Sequence, residues 1–148
     1  MEIDDYDRRI IKVLAAEGRI SNLDLAERIG LSPTPTARRV KRLEDAGIIR
    51  GYSAVIDTAK LGQGFIVMVA VHFDNHNVDM FDEFIRQIRL RPEVLEAYMI
   101  TGVYECILKV ATRDLQDYSD FQRRHLLSIP HVIRIDSMFV LQQVKPER

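Results

Sequence analysis

The sequence predicts an α+β chain in two parts, a winged-type helix-turn-helix followed by a ferredoxin-like βαββαβ domain. Three observations carry this prediction. The first fifty residues hold three stretches of helical periodicity, the last of them basic. Residues 65–141 run through strand, helix and strand twice. A glycine-bearing extended stretch separates the two regions. At 148 residues, length alone would allow a single domain, so the division rests on these patterns and not on size.

The first helix is expected over Asp4 to Glu17, where Tyr6, Ile10, Ile11 and Leu14 recur at helical spacing behind an acidic start and ahead of Gly18. A short second helix should begin after Ser21 and present Leu25, Ala26 and Ile29 before Gly30 stops it. The Gly30-Leu31 turn then leads into Ser32-Pro33, a capping residue followed by proline at the first helical position. From there a basic helix should run to about Ala46, with Gly47 closing it. Projected at 100° per residue, that helix buries Ala37, Val40 and Leu43 with Thr36 at the edge, while Arg38 and Arg42 point the opposite way.

Net charge is −1, which by itself gives no sign of a nucleic-acid partner, but the charge is unevenly placed. Residues 32–50 carry five basic side chains against two acidic ones. A short helix, a tight turn and a longer basic helix form the arrangement that sets a recognition helix in the major groove of double-stranded DNA. The expected DNA-contacting residues are Ser21, Ser32, Pro33, Thr34, Pro35, Arg38, Arg39, Lys41 and Arg42, with backbone N–H groups at the helix start facing a phosphate. A solvated basic face of a purely structural helix is the competing reading of the charge run.

Beyond an extended stretch from Ile48 to Asp57 and a Gly62-Gln63-Gly64 turn, Phe81, Phe84, Pro92 and Val94 recur as Tyr118, Phe121, Pro130 and Val132. Each copy reads strand, helix, strand. The first covers Phe65 to Phe73, Val78 to Arg89 and Val94 to Thr101; the second covers Cys106 to Thr112, Leu115 to Leu127 and Val132 to Leu141. The domains are therefore expected at 1–50 (helix-turn-helix), 51–64 (extended linker strand) and 65–148 (ferredoxin-like).

In Phe65 to Phe73 both alternations are apolar, so both sheet faces should be buried although the repeat supplies helices for only one. The cover for the second face is another copy, giving a two-fold homodimer, or the chain's own N-terminal part; a helix-turn-helix that must present its third helix outward favours the copy.

The residues exclude several function classes. The longest apolar run, Phe65 to Val71, is too short to cross a bilayer and the acidic N-terminus is no signal region, so a cytoplasmic protein without membrane contact is expected. The single Cys106 lies in an apolar strand and reads as a buried small hydrophobe. No Ser-His-Asp order, phosphate loop or dinucleotide fingerprint is present, so no enzyme activity and no cofactor are expected. His72, Asp74 and His76 could share a strand face and hold zinc or nickel, as in a metal sensor, but Asp74-Asn75-His76-Asn77 reads as a polar loop ending the strand, and no metal site is expected. A binding module without DNA contact is the remaining alternative, which the basic third helix opposes.

Arg19-Ile20-Ser21-Asn22, Gly30-Leu31-Ser32-Pro33-Thr34-Pro35, Arg39-Val40-Lys41-Arg42-Leu43-Glu44 and Gly47-Ile48-Ile49, followed much later by Thr101-Gly102-Val103-Tyr104-Glu105, resemble the Lrp/AsnC (leucine-responsive regulatory protein and asparagine-operon regulator) family. The resemblance extends over nearly the whole chain. It implies a DNA-binding transcription regulator of amino-acid metabolism or transport, dimers that often assemble into tetramers or octamers, and a small amino-acid effector bound between subunits. It also implies an effector site made of Met99, Thr101, Gly102, Val103, Tyr104, Glu105 and Ser137. Gly102 would let backbone approach a ligand carboxylate, and Glu105, where the family turn usually carries aspartate, would face an α-ammonium.

Overall fold

The computed structural model describes residues 2–74 and 77–145 and divides the chain into two compact units, one ending at Val55 and one spanning Ile56–Lys145. The first unit holds three helices. α1 (Asp5–Ala16) starts with a capping box in which Asp4 accepts from the Asp7 N–H and Asp7 accepts from the Asp4 N–H. α2 (Asn22–Ile29) is capped by Ser21 and stopped by Gly30, whose φ of 74° is a left-handed conformation that favours glycine. α3 (Pro33–Asp45) follows. Ile10, Leu25, Ile29 and Leu43 form the core of this unit, with Ile11, Leu14 and Val40 packed against it.

The buried side of α3 differs from the helical projection. Thr36 and Leu43 are buried and Val40 half-buried, whereas Ala37 is exposed. Spacing of four and then three residues puts Thr36, Val40 and Leu43 on one stripe, turned by roughly 30° from the predicted one at 100° per residue. Thr36 can occupy a core position because its hydroxyl donates to the Ser32 carbonyl at 2.9 Å, which offsets the cost of burying it.

The extended linker strand expected over residues 51–64 also differs. Residues 50–57 form no hydrogen-bonded strand, and residues 58–62 are a turn in which Asp57 accepts from the Ala59 and Lys60 N–H groups. An extended segment becomes a strand only beside a partner strand, and this one has none among the described residues.

In the second unit the order is β1 (Phe65–Phe73), α4 (Val78–Arg89), β2 (Val94–Met99), β3 (Cys106–Thr112), α5 (Leu115–Phe121) and β4 (Val132–Phe139). α5 runs on into a π-helical turn, Gln122–Leu126. The four strands form one antiparallel sheet in the order β2-β3-β1-β4, which is the ferredoxin-like βαββαβ topology. β2 stops two residues earlier than predicted because the Ile100 N–H turns to the Glu105 carbonyl at 2.9 Å and closes a turn there.

The two faces of this sheet have different surroundings. Val67, Val69, Val71 and Phe73 of β1 pack with Leu108 and Val110 of β3 against Phe84 and Ile88 of α4 and Phe121 beyond them. Phe73 meets the Phe84 ring edge-on at 4.8 Å. On the opposite face Ile66, Met68 and Ile107 are half-buried and Met138 is exposed. Among the described residues of this unit, no helix lies over those side chains.

Cys106 lies on the helix-facing side and is 1% exposed. Burial pushes its thiol up to about 12, because the thiolate would lose its hydration there. Native protein should therefore resist alkylation by iodoacetamide at pH 8 and take up one equivalent once unfolded; stoichiometric labelling of the folded chain would contradict this.

Candidate functional site

The electrostatic centre of the first unit is a carboxylate on the core side of α1. Asp7 sits one helical turn before Ile10 and is fully buried. It accepts from Arg39 Nη1 at 2.8 Å and from Arg42 Nη2 at 2.6 Å. Arg39 Nη1 also reaches Asp4 at 2.7 Å, and its guanidinium lies 5.5 Å from the centre of the Tyr6 ring. Two arginines of α3 are thus tied to the start of α1. This corrects the projection, which placed Arg42 on the outward side opposite the buried stripe. The rotation that buries Thr36 carries Arg42 toward Asp7, leaving its side chain 47% exposed.

The side of α3 that faces away consists of Thr34, Ala37, Arg38 and Lys41, with Ser32 and Pro33 at its start. Pro35 is half-buried. Lys41 reaches Asp45 at 3.3 Å, an exposed pair one turn apart that contributes little. Asn22 donates to the Pro33 carbonyl at 2.9 Å and so pins the start of α3 to α2. Ser21 is committed to capping α2, accepting from the Asp24 N–H at 3.1 Å and donating to its carboxylate. The row of backbone donors expected at the start of α3 is reduced to Thr34 at most: Pro33 and Pro35 have no N–H, and the Thr36 N–H already donates to Ser32.

In the second unit the Thr101–Glu105 turn joins β2 to β3. Gly102 has a φ of 134°, and a Cβ added there would meet nothing within 4 Å. Thr101, Gly102 and Val103 are exposed, while Tyr104 and Glu105 are half-buried. The Glu105 carboxylate lies 3.9 Å from His72 Nδ1, on the sheet face opposite the helices. His72 Nε2 is 3.3 Å from Asp136, and the Tyr104 ring packs edge-on against the imidazole at 5.0 Å. The Arg134 guanidinium beside Asp136 holds that carboxyl below the usual carboxylate range, with His72 adding to the effect.

Two residues expected with this turn point elsewhere. Ser137 pairs with Val69 and so faces the helices, where its hydroxyl contacts Tyr118 and Gln122. Met99 pairs with Cys106 on the same side and lines a cavity of about 210 Å³ with Phe84, Ile85 and Ile88. Sequence reasoning missed Asp7, Asp4, His72 and Asp136 as parts of these sites. Asp7 was findable, since it completes the Ile10, Ile11, Leu14 stripe at i, i+3, i+4 and i+7, and an acid in a core stripe needs a cation. Of the metal reading, His76 lies outside the described residues, β1 ends at Phe73, and Asp74 accepts from His131 Nδ1 at 2.9 Å. Among the described residues no His, Cys, Asp and Glu cluster is arranged for a metal ion.

Comparison with known proteins agrees with this division into units. A family model described as a winged helix-turn-helix DNA-binding domain matches residues 3–50, and one described as the Lrp/AsnC ligand binding domain matches residues 66–148. The chain belongs to the Lrp/AsnC family. It is similar to the Bkd operon transcriptional regulator of Pseudomonas aeruginosa, with 38% identity over 97% of this chain and 94% of that protein. The leucine-responsive regulatory protein of Escherichia coli is 33% identical over 97% of this chain and 88% of its own length. Among solved structures, a transcriptional regulator from Neisseria meningitidis in complex with L-Met superimposes with a TM-score of 0.94 at 35% identity, covering 99% and 94% of the two chains. This Lrp/AsnC protein is accordingly a DNA-binding transcription regulator with the family's ligand-binding domain, and the family is one of regulators, not enzymes. Among the described residues no helix is long and apolar enough to cross a membrane.

One consequence concerns acid. The Asp7 N–H first, and Arg39 after it, hold the Asp4 carboxyl below its ordinary value. A group depressed in the folded state contributes stability that is present above its unfolded pKa, about 3.9, and is lost as pH falls through the folded value. Asp4→Ala should therefore lower the melting temperature at pH 7, with the gap from wild type closing below pH of about 4. A gap that stays constant into strong acid would contradict the assignment.

Proposed function

We propose that this regulator reads its operator through the outward side of α3 as a homodimer, and that a small amino acid bound at the Thr101–Glu105 turn modulates it. The controlled genes are those of amino-acid metabolism or transport. The carrying observation for the effector reading is the half-buried Glu105 carboxylate beside a turn whose glycine leaves open space. An α-amino acid requires an anion for its ammonium and uncrowded backbone donors for its carboxylate, and Glu105 with the 101–104 backbone can supply both. The L-Met complex of the Neisseria relative supports an amino acid as the ligand class. Ser137 is left out of this site because its hydroxyl serves Tyr118 and Gln122.

Thr34, Arg38 and Lys41, with Ser32 and Pro33, form the DNA-contacting set; Arg39 and Arg42 are withdrawn from it by Asp7. One recognition helix gives too few contacts for a specific site, so two copies reading half-sites roughly 34 Å or a multiple of it apart are required. The uncovered sheet face, with Ile66, Met68, Ile107 and Met138, is where the second copy packs, and further assembly builds tetramers or octamers.

Three measurements test this reading. Arg38→Ala should weaken operator binding by about 1–3 kcal/mol if it pairs with a guanine edge, and Lys41→Ala should weaken all duplexes alike and flatten the salt dependence; unchanged binding by both would remove this face from the interface. Met68→Glu should convert the wild-type dimer to monomer in sedimentation at micromolar concentration, and a wild type that sediments as monomer would refute the sheet-face dimer. Among a panel of amino acids at millimolar concentration, at least one should raise the melting temperature and change DNA affinity, and Glu105→Ala should abolish that response while leaving effector-free DNA binding intact. A normal response in Glu105→Ala would make the turn structural.

A further inference from the structure

We propose that Asp7 is a specificity-determining residue for DNA recognition: by engaging Arg39 and Arg42 it keeps two cations of α3 off the phosphate backbone and so holds sequence-independent affinity down. The proposal rests on the reading of α3 as the DNA-contacting helix. α3 carries Arg38, Arg39, Lys41 and Arg42 within five positions. Were all four to reach phosphates, each would add the same attraction to every duplex and none would distinguish one sequence from another. The ratio of operator to bulk DNA affinity would fall.

The geometry separates these four side chains into two pairs. Arg38 and Lys41 lie on the outward side, where Lys41 pairs with the exposed Asp45. Arg39 and Arg42 converge on one fully buried carboxylate at 2.8 and 2.6 Å, and Arg39 on Asp4 as well. A carboxylate in the apolar stripe of α1 is a poor way to gain stability, since an apolar side chain of similar size would pack there without desolvating a charge. What Asp7 supplies that an apolar residue cannot is neutralisation of two guanidinium groups on the neighbouring helix.

The experiment uses the full chain and a mixed-sequence duplex, with affinity measured by fluorescence anisotropy between roughly 50 and 200 mM salt, well below the melting temperature. Asp7→Asn should tighten binding to this duplex at low salt and steepen the slope of log K against log salt by about 0.9 for each freed arginine. Adding Arg39→Gln and Arg42→Gln to that variant should return the slope to the wild-type value. An unchanged slope in folded Asp7→Asn overturns the proposal. Should Asp7→Asn fail to fold, the single variants Arg39→Gln and Arg42→Gln decide: masked arginines leave the wild-type slope unaltered, whereas a slope flattened by about 0.9 in either would show that its guanidinium already sits on phosphate and overturn it. Arg38→Gln and Lys41→Gln serve as the control on the interface itself. If neither moves the slope, the α3 reading fails, and that failure is distinct from an unresponsive Asp7→Asn.

Discussion

A four-stranded sheet has two faces, and the described residues of this unit supply helices for one. That constraint governs the second unit. β1 lies between β3 and β4 and is apolar on both sides, so its Val67, Val69 and Val71 are closed by α4 and α5 while Ile66 and Met68 await a cover. The inner face holds the unit together as a folded body. The outer face is where the proposed second copy would pack, and the polar groups scattered over it, His72, Asp136 and Lys109, all sit beside a countercharge or a hydrogen-bonding neighbour. Because Glu105 belongs to this same face, whatever occupies the turn and whatever covers the sheet act on adjoining ground.

In the three-helix unit the organising interaction is ionic instead. Apolar packing of Ile10, Leu25, Ile29 and Leu43 brings the helices together without saying how far α3 is turned about its axis. Asp7 narrows that freedom. A carboxylate with no exposure must be met by donors, and the two arginines that meet it, spaced three residues apart on α3, define which side looks inward. The side left facing out is a consequence of that pairing as much as of the apolar stripe.

Much of this was legible in the residues. The bounds of β1, α4 and β3 coincide with the predicted ones because the apolar runs of the strands, the helical repeat between them and the flanking polar turns each mark a boundary independently. The helix-turn-helix could be read for the same reason, Ser21, Gly30 and Ser32-Pro33 being local signals of helix ends. What escaped were relations between residues far apart in the chain. The pairing of Asp7 with Arg39 and Arg42 spans more than thirty positions, and a single-helix projection has no access to it. Ser137 was misplaced on its face for a similar cause: one position along a strand reverses the side, and only the register against β1 settles it. The expected linker strand failed on a different ground, since alternation in Tyr52, Ala54 and Ile56 signals an extended backbone and strandhood depends on a neighbour.

The two prolines in the first turn of α3 bear on how such a protein diverges. Many phosphate-gripping helices use backbone N–H groups, which every residue type except proline offers. Here Pro33 and Pro35 take two of those donors away and Thr36 spends its own on Ser32, so in the proposed reading contact falls mainly to side chains such as Thr34, Arg38 and Lys41. Side chains on an exposed helical surface change freely without disturbing the core beneath. On that reading, operator preference changes by single substitutions while the scaffold stays constant, so that one architecture can be reassigned from promoter to promoter.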